Sequence, residues 1–519
     1  MLRLRDHARS LGLLSTSFCF LLLFVALLHP ASRTLLRPFD GSSERTIRFH
    51  FLVPTTNTNS EVCKLIASST ILGYPAPSLL GWEGRGRWNG SESHLFKLSE
   101  TVFYLNTLRK EQDDDLVLIL DAFDVWLQLP PEVLIKRYHQ ALAKENDALR
   151  RDGILDKNSP DGSRIRNTIL FGVDKFCWPQ NDEVIPCWAA PNSSLPEDMY
   201  GPGTDKEDVK LRPRFLNSGS IMGPVKDIRN LFKATMDQIT LEWDDDFIHK
   251  TSDQHYLSIL WGDQEEARLA VRNGTSHTLD GQTHTEFHIA VDHESDAFQI
   301  NNWHSQYVTW MTFNRTTAPA ISSSAAFNPG RLDLLNLTEE ITSLPGPFSA
   351  DNETATLPIE LGWRNIMLGT NTATGVIFPL YHITGDKLMR GRWWPRMWFH
   401  PHGEELLKAA RKRWLASVAD TGQHVAAHFG GVKYIAVQPN NGDVFQSMRA
   451  RDKSNIKGAT NASTITAYPN RTRVVSYVRG TVCNLAYGVS LPGARKFLCD
   501  MAVAIASEYL EEDSSNKER

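Results

Sequence analysis

Residues 113–126 read DDDLVLILDAFDVW, and they indicate the class of fold. Leu116–Leu120 is a short unbroken apolar run, typical of a strand that is buried on both faces of a parallel sheet. The run ends in two carboxylates, Asp121 and Asp124. Because ligands in open α/β sheets bind beyond the carboxyl ends of the strands, we expect a ligand site at this point.

Two carboxylates this close repel each other unless a cation lies between them. Mg²⁺ and Mn²⁺ prefer carboxylate oxygens and often bridge to substrate phosphates. The alternative is that Asp121 or Asp124 caps the N-terminus of a helix. The stretch alone leaves both interpretations open.

Composition limits the class of protein. The 519 residues suffice for two or three domains, or for one large domain with an appendage, and 41% hydrophobic with 22% charged residues is typical of a globular chain. The net charge of −5 gives no argument for a nucleic-acid partner, so we expect none. Six cysteines are too few for a disulfide scaffold.

The N-terminus resembles a membrane anchor. Residues 11–28 form an apolar run of about the minimum spanning length, preceded by Arg3, Arg5 and Arg9. The alternative is a cleaved signal peptide, but HPAS at 29–32 is a poor cleavage site. We therefore expect a single-pass type II protein of the Golgi or endoplasmic reticulum membrane, with a cytosolic tail (1–10), a transmembrane anchor (11–28), a stem (29–45) and a lumenal body.

Glycosylation sequons support a lumenal body. Eight asparagines begin an Asn-x-Ser/Thr triplet: Asn89, Asn192, Asn273, Asn314, Asn336, Asn352, Asn461 and Asn470. In an oxidising compartment Cys177 and Cys187 would close a short disulfide loop. The alternative is a pair of buried thiols.

The body opens with a strand, a polar turn and a helix. The strand covers 47–53, and the helix covers 60–72 and stops at Gly73. This order is typical of a nucleotide-binding α/β unit, although the turn has neither the glycine-rich fingerprint nor the P-loop pattern. A nucleotide would meet the backbone and hydroxyls of Thr55 and Thr56, unless these are ordinary turn residues.

Polar residues follow several later elements. A helix over 94–108 carries Lys97, which either faces a diphosphate or is solvated. FLNSGSIMG at 215–223 predicts a strand whose backbone lies close to a ligand, because small residues alternate with apolar ones. Asp253 is the expected N-cap of a helix through 257–260. Residues 316–351 are expected to form an exposed insertion.

A second strand end carries the sequence HITGDK at 382–387. The His382 imidazole is a candidate third metal ligand, although a single histidine is more often structural. Gly385 lets the backbone approach a phosphate, and Lys387 neutralises phosphate charge. Together with the two aspartates, these residues predict transfer of a group from an activated nucleotide, with a metal offsetting the charge of the departing diphosphate.

At this point residues 46 to about 395 resemble the lumenal glycosyltransferases of the GT-A fold. They are most similar to the glycosyltransferase domain of procollagen lysyl hydroxylases, which transfers sugar to hydroxylysine. The resemblance rests on seven stretches in order: VPTT at 53–56, DAFDVW at 121–126, FCWP at 176–179, FLNSGSIMG at 215–223, SDQ at 252–254, VDHESDAFQ at 291–299 and HITGDK at 382–387.

The resemblance implies an α/β fold over 46–400, with a central, mostly parallel sheet flanked by helices. It implies a transferase that moves a hexose from a UDP-sugar to a hydroxyl of a protein or glycan acceptor. It also implies roles for nine residues: Mn²⁺ (or Mg²⁺) binding by Asp121, Asp124 and His382, UDP binding by Thr55, Phe123 and Lys387, and donor-sugar and acceptor contacts by Asn217, Asp253 and Gln254. Trp178 is expected nearby. Lys97 and Gly385 complete the expected nucleotide-binding set on the residue arguments given above.

This sequence departs from the family pattern in two places. Ser252 stands where relatives have another acid, and Phe123 stands where an aromatic hydroxyl is usual. These differences leave the donor sugar, the acceptor and the stereochemistry open. They also motivate an alternative, a non-catalytic sugar- or protein-binding module on a decayed transferase scaffold. A metal-dependent hydrolase with the same three ligands is a third hypothesis.

The last region, 401–519, is expected to be a separate accessory α/β region without catalysis. Residues 403–418 predict a basic amphipathic helix. Residues 483–496 resemble a fragment of the beta-galactosyltransferase family that includes bacterial lipopolysaccharide and collagen galactosyltransferases.

Overall fold

A computed structural model describes residues 45–56, 59–81, 94–154, 165–181, 183–275, 285–314, 337–349, 357–421 and 423–437. The predicted tail, anchor and stem lie outside these residues, apart from Arg45, and so does the stretch 483–496. Within the described residues, no helix has both the length and the apolar character that a bilayer crossing requires.

The fold alternates strands and helices. The strands are β1 (Arg45–Pro54), β2 (Ser78–Leu80), β3 (Leu116–Leu120), β4 (Val125–Leu127), β5 (Ile169–Asp174), β6 (Phe215–Pro224), β7 (Ile289–Val291), β8 (Gln299–Ile300), β9 (Val308–Met311), β10 (Leu368–Asn371), β11 (Leu380–His382), β12 (Val425–Phe429) and β13 (Val432–Ala436). The α-helices are α1 (Ser60–Leu72), α2 (Phe96–Leu105), α3 (Pro131–Arg151), α4 (Ile185–Trp188), α5 (Val225–Glu242), α6 (Asp253–Arg272), α7 (Glu339–Thr342), α8 (Met389–Trp393) and α9 (Gly403–Thr421).

The central sheet has the strand order β12-β13-β1-β3-β6-β5-β7, and β2 pairs with β1. Helices cover both faces, so the predicted α/β architecture is confirmed. Leu118 packs with α1 and α3 on one face, whereas Val117 and Ile119 pack with α2, α5 and α6 on the other. The strand after residue 115 is therefore buried on both sides, as its unbroken apolar run predicted.

The expectation of a mostly parallel sheet is wrong, because the sheet is mixed and the β12–β13 pair and both pairs of β6 are antiparallel. β1 and β3 are parallel, as are β5 and β7, but β6 runs antiparallel to both β3 and β5. A buried antiparallel strand has the same apolar composition as a parallel one, so the sequence pattern does not reveal its direction. The antiparallel β6 brings its amino end to the edge where β3 and β5 have their carboxyl ends.

A small second sheet, β4-β11-β8, lies beside this edge. β11 pairs antiparallel with β4, and the register places His382 opposite Val125. Val125 directly follows Asp124, so this pairing brings His382 to the acidic strand end, although His382 lies 258 positions after Asp124 in the sequence. This pairing joins the two halves of the predicted metal site.

Two predicted boundaries differ from the structure. The helix α9 packs against α1, and the hairpin of β12 and β13 extends the central sheet next to β1, so residues 403–437 are not a separate appendage. In the predicted exposed insertion, Ile341 and Phe348 are buried in the main core, and Glu340 forms an ion pair with Arg137. The stretch 316–351 was expected to be exposed because its polar composition masks a few anchoring apolar residues, and 401–519 was expected to be a separate region because its pairing with β1 and α1 is long-range.

Candidate functional site

Three side chains that the sequence analysis assigned to a metal meet at one point. Each of Asp121, Asp124 and His382 offers a ligand atom, and these atoms all lie within 4.8 Å of one another. His382 Nε2 is 3.4 Å from Asp124 Oδ1, and His382 Nδ1 is buried without a hydrogen-bond partner in the described part of the chain. Two carboxylates and an imidazole in this arrangement fit a divalent cation.

Backbone hydrogen bonds fix the two strand ends. The N–H of Asp121 donates to the carbonyl of Gly219 at 3.0 Å, which ties the acidic loop to β6. The N–H of Ile383 donates to the carbonyl of Asp124 at 2.7 Å, which ties the same loop to β11. The three candidate ligands are therefore held by sheet hydrogen bonds on both sides.

Gly219 makes room for the histidine. A Cβ at this position would lie 2.7 Å from Nε2 and 2.8 Å from Nδ1 of His382, which is too close for any side chain. The stretch 215–223 was predicted to bring its backbone close to a ligand. In the structure the backbone approaches a candidate metal ligand instead, the His382 ring.

The electrostatics favour an ionised carboxylate beside a protonated imidazole. Burial opposes the charge on Asp124, but the nearby positive charges of His382 and Arg390 lower its pKa. Burial also opposes the charge on His382, but the carboxylates of Asp124, Asp121 and Asp174 raise its pKa. In the metal-free site the carboxylate and the imidazole therefore favour each other's charged forms, and a metal ion bound by His382 would take the place of its proton.

Lys97 is not the solvated lysine of the alternative interpretation, and its contact with a diphosphate stays a prediction. Its side chain is buried, and its ammonium donates to Asp121 Oδ1 at 2.8 Å and to the Ser218 carbonyl at 3.0 Å. It also lies 2.7 Å from Asp253 Oδ2. Burial opposes the charge on Lys97, but the two aspartates outweigh this effect and raise its pKa. The lysine thus joins a candidate metal ligand to a candidate catalytic residue.

A buried polar network adjoins the metal ligands. Asn217 donates from Nδ2 to Asp174 Oδ2 at 2.8 Å, and its Oδ1 accepts from the N–H of Gly219 at 3.0 Å. Gln254 Oε1 accepts from the N–H of Ser218 at 3.2 Å. The predicted catalytic residues Asn217, Asp253 and Gln254 therefore lie together beside the acidic strand end.

Asp174 belongs to this network, and the sequence analysis missed it. The strand was expected over 168–172, but β5 continues to Asp174 and ends in a carboxylate, as β3 does. A second apolar strand followed by an acid was the available signal. Burial raises the pKa of Asp174 to about 6, although the hydrogen bond from Asn217 and the charge of His382 act in the opposite direction.

The cap of the helix α6 also differs from the prediction. Ser252 is the N-cap residue, because its hydroxyl accepts from the N–H of His255, and Asp253 is the first helical residue. The serine that departs from the family pattern therefore has a structural role. This arrangement leaves the Asp253 carboxylate to pair with Lys97.

The remaining predicted nucleotide-binding residues have different surroundings. Thr55 is fully buried and its N–H donates to the Leu80 carbonyl, so that donor is not available to a diphosphate. Phe123 is half-buried against the core. Gly385 and Lys387 are exposed, and Gly385 has a φ of 79°, which favours glycine. UDP contacts by these residues stay a prediction.

Trp178 lies on a disulfide-closed loop. The predicted bond between Cys177 and Cys187 is confirmed. Trp178 is 44% exposed, and its ring lies 4.7 Å from that of His249, in the segment before α6. An exposed indole beside a polar cluster is a suitable platform for a ligand.

Comparison with known proteins found two similar proteins of one name. No protein-family model matches the chain. The chain is 25% identical over 290 residues to the human multifunctional procollagen lysine hydroxylase and glycosyltransferase LH3, and equally to the protein of that name from Pongo abelii. The chain resembles a procollagen glycosyltransferase. The match covers 54% of the chain but only 29% of either relative. It gives no support to the resemblance of residues 483–496 to beta-galactosyltransferases.

Replacing Gly219 tests the packing beneath the histidine. Because an added methyl group would overlap the ring, Gly219→Ala should displace His382 and weaken Mn²⁺ binding by at least about 10-fold, as measured by calorimetric titration. Gly403→Ala is the matched control, since nothing lies within 4 Å of a Cβ there. Equal affinity in the two variants would contradict the packing argument.

The pKa of Asp174 predicts a pH-dependent stability. A buried acid with a raised pKa favours its protonated form, so the folded protein loses stability as the pH rises from about 4 to above 6. Asp174→Asn removes this loss. In the metal-free protein, the difference in unfolding free energy between variant and wild type should grow by about 2 kcal/mol from pH 4 to pH 8. Denaturant titration at each pH measures the unfolding free energy, and the exposed Asp147→Asn is the control. A difference in unfolding free energy between Asp174→Asn and wild type that does not change with pH would contradict the prediction.

Proposed function

We propose that the protein is a metal-dependent glycosyltransferase that moves a hexose from a UDP-sugar to a hydroxyl of a protein or glycan acceptor. The observation that carries the proposal is the meeting of Asp121, Asp124 and His382 from two sheets, beside the buried pair of Asp174 and Asn217. The name of the similar human protein includes glycosyltransferase activity, which supports the same class.

The donor set fits a hard divalent ion, and we propose Mn²⁺ or Mg²⁺. Four carboxyl groups lie here, those of Asp121, Asp124, Asp174 and Asp253, against the buried cation Lys97 and the partly buried cation Arg390. The His382 nitrogen without a partner is a further donor. When bound, the ion would offset negative charge on the departing diphosphate.

The protein side chains would hold the reacting groups. Lys97 restrains Asp121 and Asp253 at fixed positions, so the metal-binding and sugar-binding sides keep one geometry. Asn217 and Gln254 supply amide groups, and Asp253 supplies a carboxylate, for the hydroxyls of a sugar. Burial of these groups excludes water and strengthens each polar contact.

We propose a lumenal site of action in the Golgi or endoplasmic reticulum, with residues 11–28 as the membrane anchor. The disulfide between Cys177 and Cys187 supports an oxidising compartment. The sequon asparagine Asn273 is exposed, as glycosylation requires.

Replacing one metal ligand tests the proposal. Asp124→Asn keeps the shape of the side chain but removes its charge, so Mn²⁺-dependent release of UDP from a UDP-sugar should fall at least about 100-fold. A screen of UDP-hexoses with the full chain measures this release. Exposed Asp147→Asn makes the same chemical change away from the site and should retain full activity.

Three outcomes separate the hypotheses. Transfer of the sugar to an added acceptor supports a transferase, whereas release of free sugar to water in the presence of acceptors supports a hydrolase. Binding of UDP without any turnover over a broad acceptor panel supports a non-catalytic binding module. Undiminished turnover in Asp124→Asn would refute the assignment of the metal site.

A further inference from the structure

A cavity lies next to the candidate site, and its lining is positively charged, whereas the candidate site is rich in carboxylates. It has a volume of about 550 Å³, and its lining includes Lys175, Arg212 and Arg214 with one acid, Asp205. Burial lowers the pKa of Lys175 to about 7, so the full charges of the lining are the two arginines against one aspartate, although the whole chain has a net charge of −5. A positive cavity in an acidic protein favours an anionic ligand.

Arg214 is the cation of the lining that has a buried donor atom without a partner among the described residues. Its Nη2 donates to the Ala190 carbonyl, and its Nη1 lies 3.5 Å from Asn192 Oδ1, but its buried Nε has no partner among the described residues. Arg212, in contrast, is held by Asp205 at 2.6 Å. Burial, together with the like charge of Arg212, lowers the pKa of Arg214, so an incoming anion would relieve an unfavourable charge.

The cavity is close to the proposed transfer site. Phe215, in its lining, pairs with Asp174, and Asn217 follows two residues along the same strand. At about 3.3 Å per residue, the cavity wall is about 7 Å along β6 from the Asn217 backbone. A ligand that fills the cavity is therefore within the length of a sugar residue or two of the site.

Exposed aromatic rings border the cavity. Phe176 and Cys177 belong to its lining, Trp178 follows them and is 44% exposed, and Trp303, which is 45% exposed, lies 5.3 Å from Phe176. Flat apolar rings next to a few polar donors suit the faces and hydroxyls of sugar rings.

The strand arrangement argues against an extended peptide in the cavity. β5 pairs with β6 and β7, and β6 pairs with β3 and β5, so both strands that border the cavity have neighbours on each side. A peptide that binds by adding a strand needs an open strand edge, which these two strands do not offer. Side-chain recognition of a glycan fits the lining better.

We propose that this cavity binds the carboxylate of an acidic, uronate-containing glycan, which is the acceptor of the transferase. The Arg214 guanidinium would receive the carboxylate, and Trp178 would support a neighbouring sugar ring. The acceptor role rests on the proposed function, whereas binding of the glycan does not.

Direct binding tests the proposal apart from turnover. The probes are a tetrasaccharide that contains glucuronate and the same tetrasaccharide with its carboxyl group reduced, titrated calorimetrically into the full chain. We expect the acidic form to bind at least about 10-fold more tightly. Arg214→Gln should remove this preference, and Arg214→Lys, which keeps the charge but not the planar fork, should retain part of it.

Arg229→Gln is the matched control. Arg229 is also partly buried and donates to Asp113 and to the Leu105 carbonyl, but it lies outside the cavity lining, so its loss should leave the preference unchanged. Thermal unfolding of each variant identifies any folding defect. If Arg214→Gln does not fold, Arg214→Lys carries the test, and an undiminished preference in that variant would overturn the proposal.

Two results would overturn the proposal: equal binding of the acidic and the reduced glycan, or a preference that survives in both Arg214 variants. Binding of hexaglutamate in place of the glucuronate probe would overturn it in favour of an acidic peptide. If the glucuronate probe binds but no UDP-sugar is turned over, the binding site stands and the transferase function fails.

Discussion

Repulsion among carboxylates at one edge of the central sheet is the constraint on which the site depends. Asp121 and Asp124 follow β3, Asp174 ends β5, and Asp253 opens α6. The cations Lys97 and Arg390 offset this charge from within the protein. The carboxylates also raise the pKa of His382, which favours the positively charged imidazole. Such a cluster is stable only because cations lie within it, and a bound divalent ion would offset its charge further.

The topology explains why these groups meet. β3 and β5 point the same way, so their carboxyl ends share an edge, and the antiparallel β6 brings the amide of Asn217 to the same edge. The pairing of β11 with β4 then adds His382 from a different sheet. Each contributor lies at the end of a buried strand, so the site is rigid on the metal side. On the acceptor side, the loop of Trp178 is held by a disulfide but is more exposed.

Much of this site follows from local sequence patterns, and the rest does not. The acids after an apolar strand and the histidine after another were found because each pattern occupies a few consecutive residues. The protein partners of Lys97 were not predicted and Asp174 was missed, because Ser218 and Asn217, with which they form hydrogen bonds, lie 121 and 43 positions away in sequence. Pattern and composition predicted the helix Ser60–Leu72 with its correct bounds, because Gly73, in the left-handed conformation, ends it. They did not predict the direction of β6.

The account depends most on a single shared cation at the meeting point of the two sheets. Crystals grown with Mn²⁺ and measured near its absorption edge give the most direct test, because anomalous scattering locates the ion without reference to activity. We predict one strong anomalous peak in contact with Asp121, Asp124 and His382. A fully occupied ion elsewhere, or no ion at this point at saturating Mn²⁺, would contradict the account.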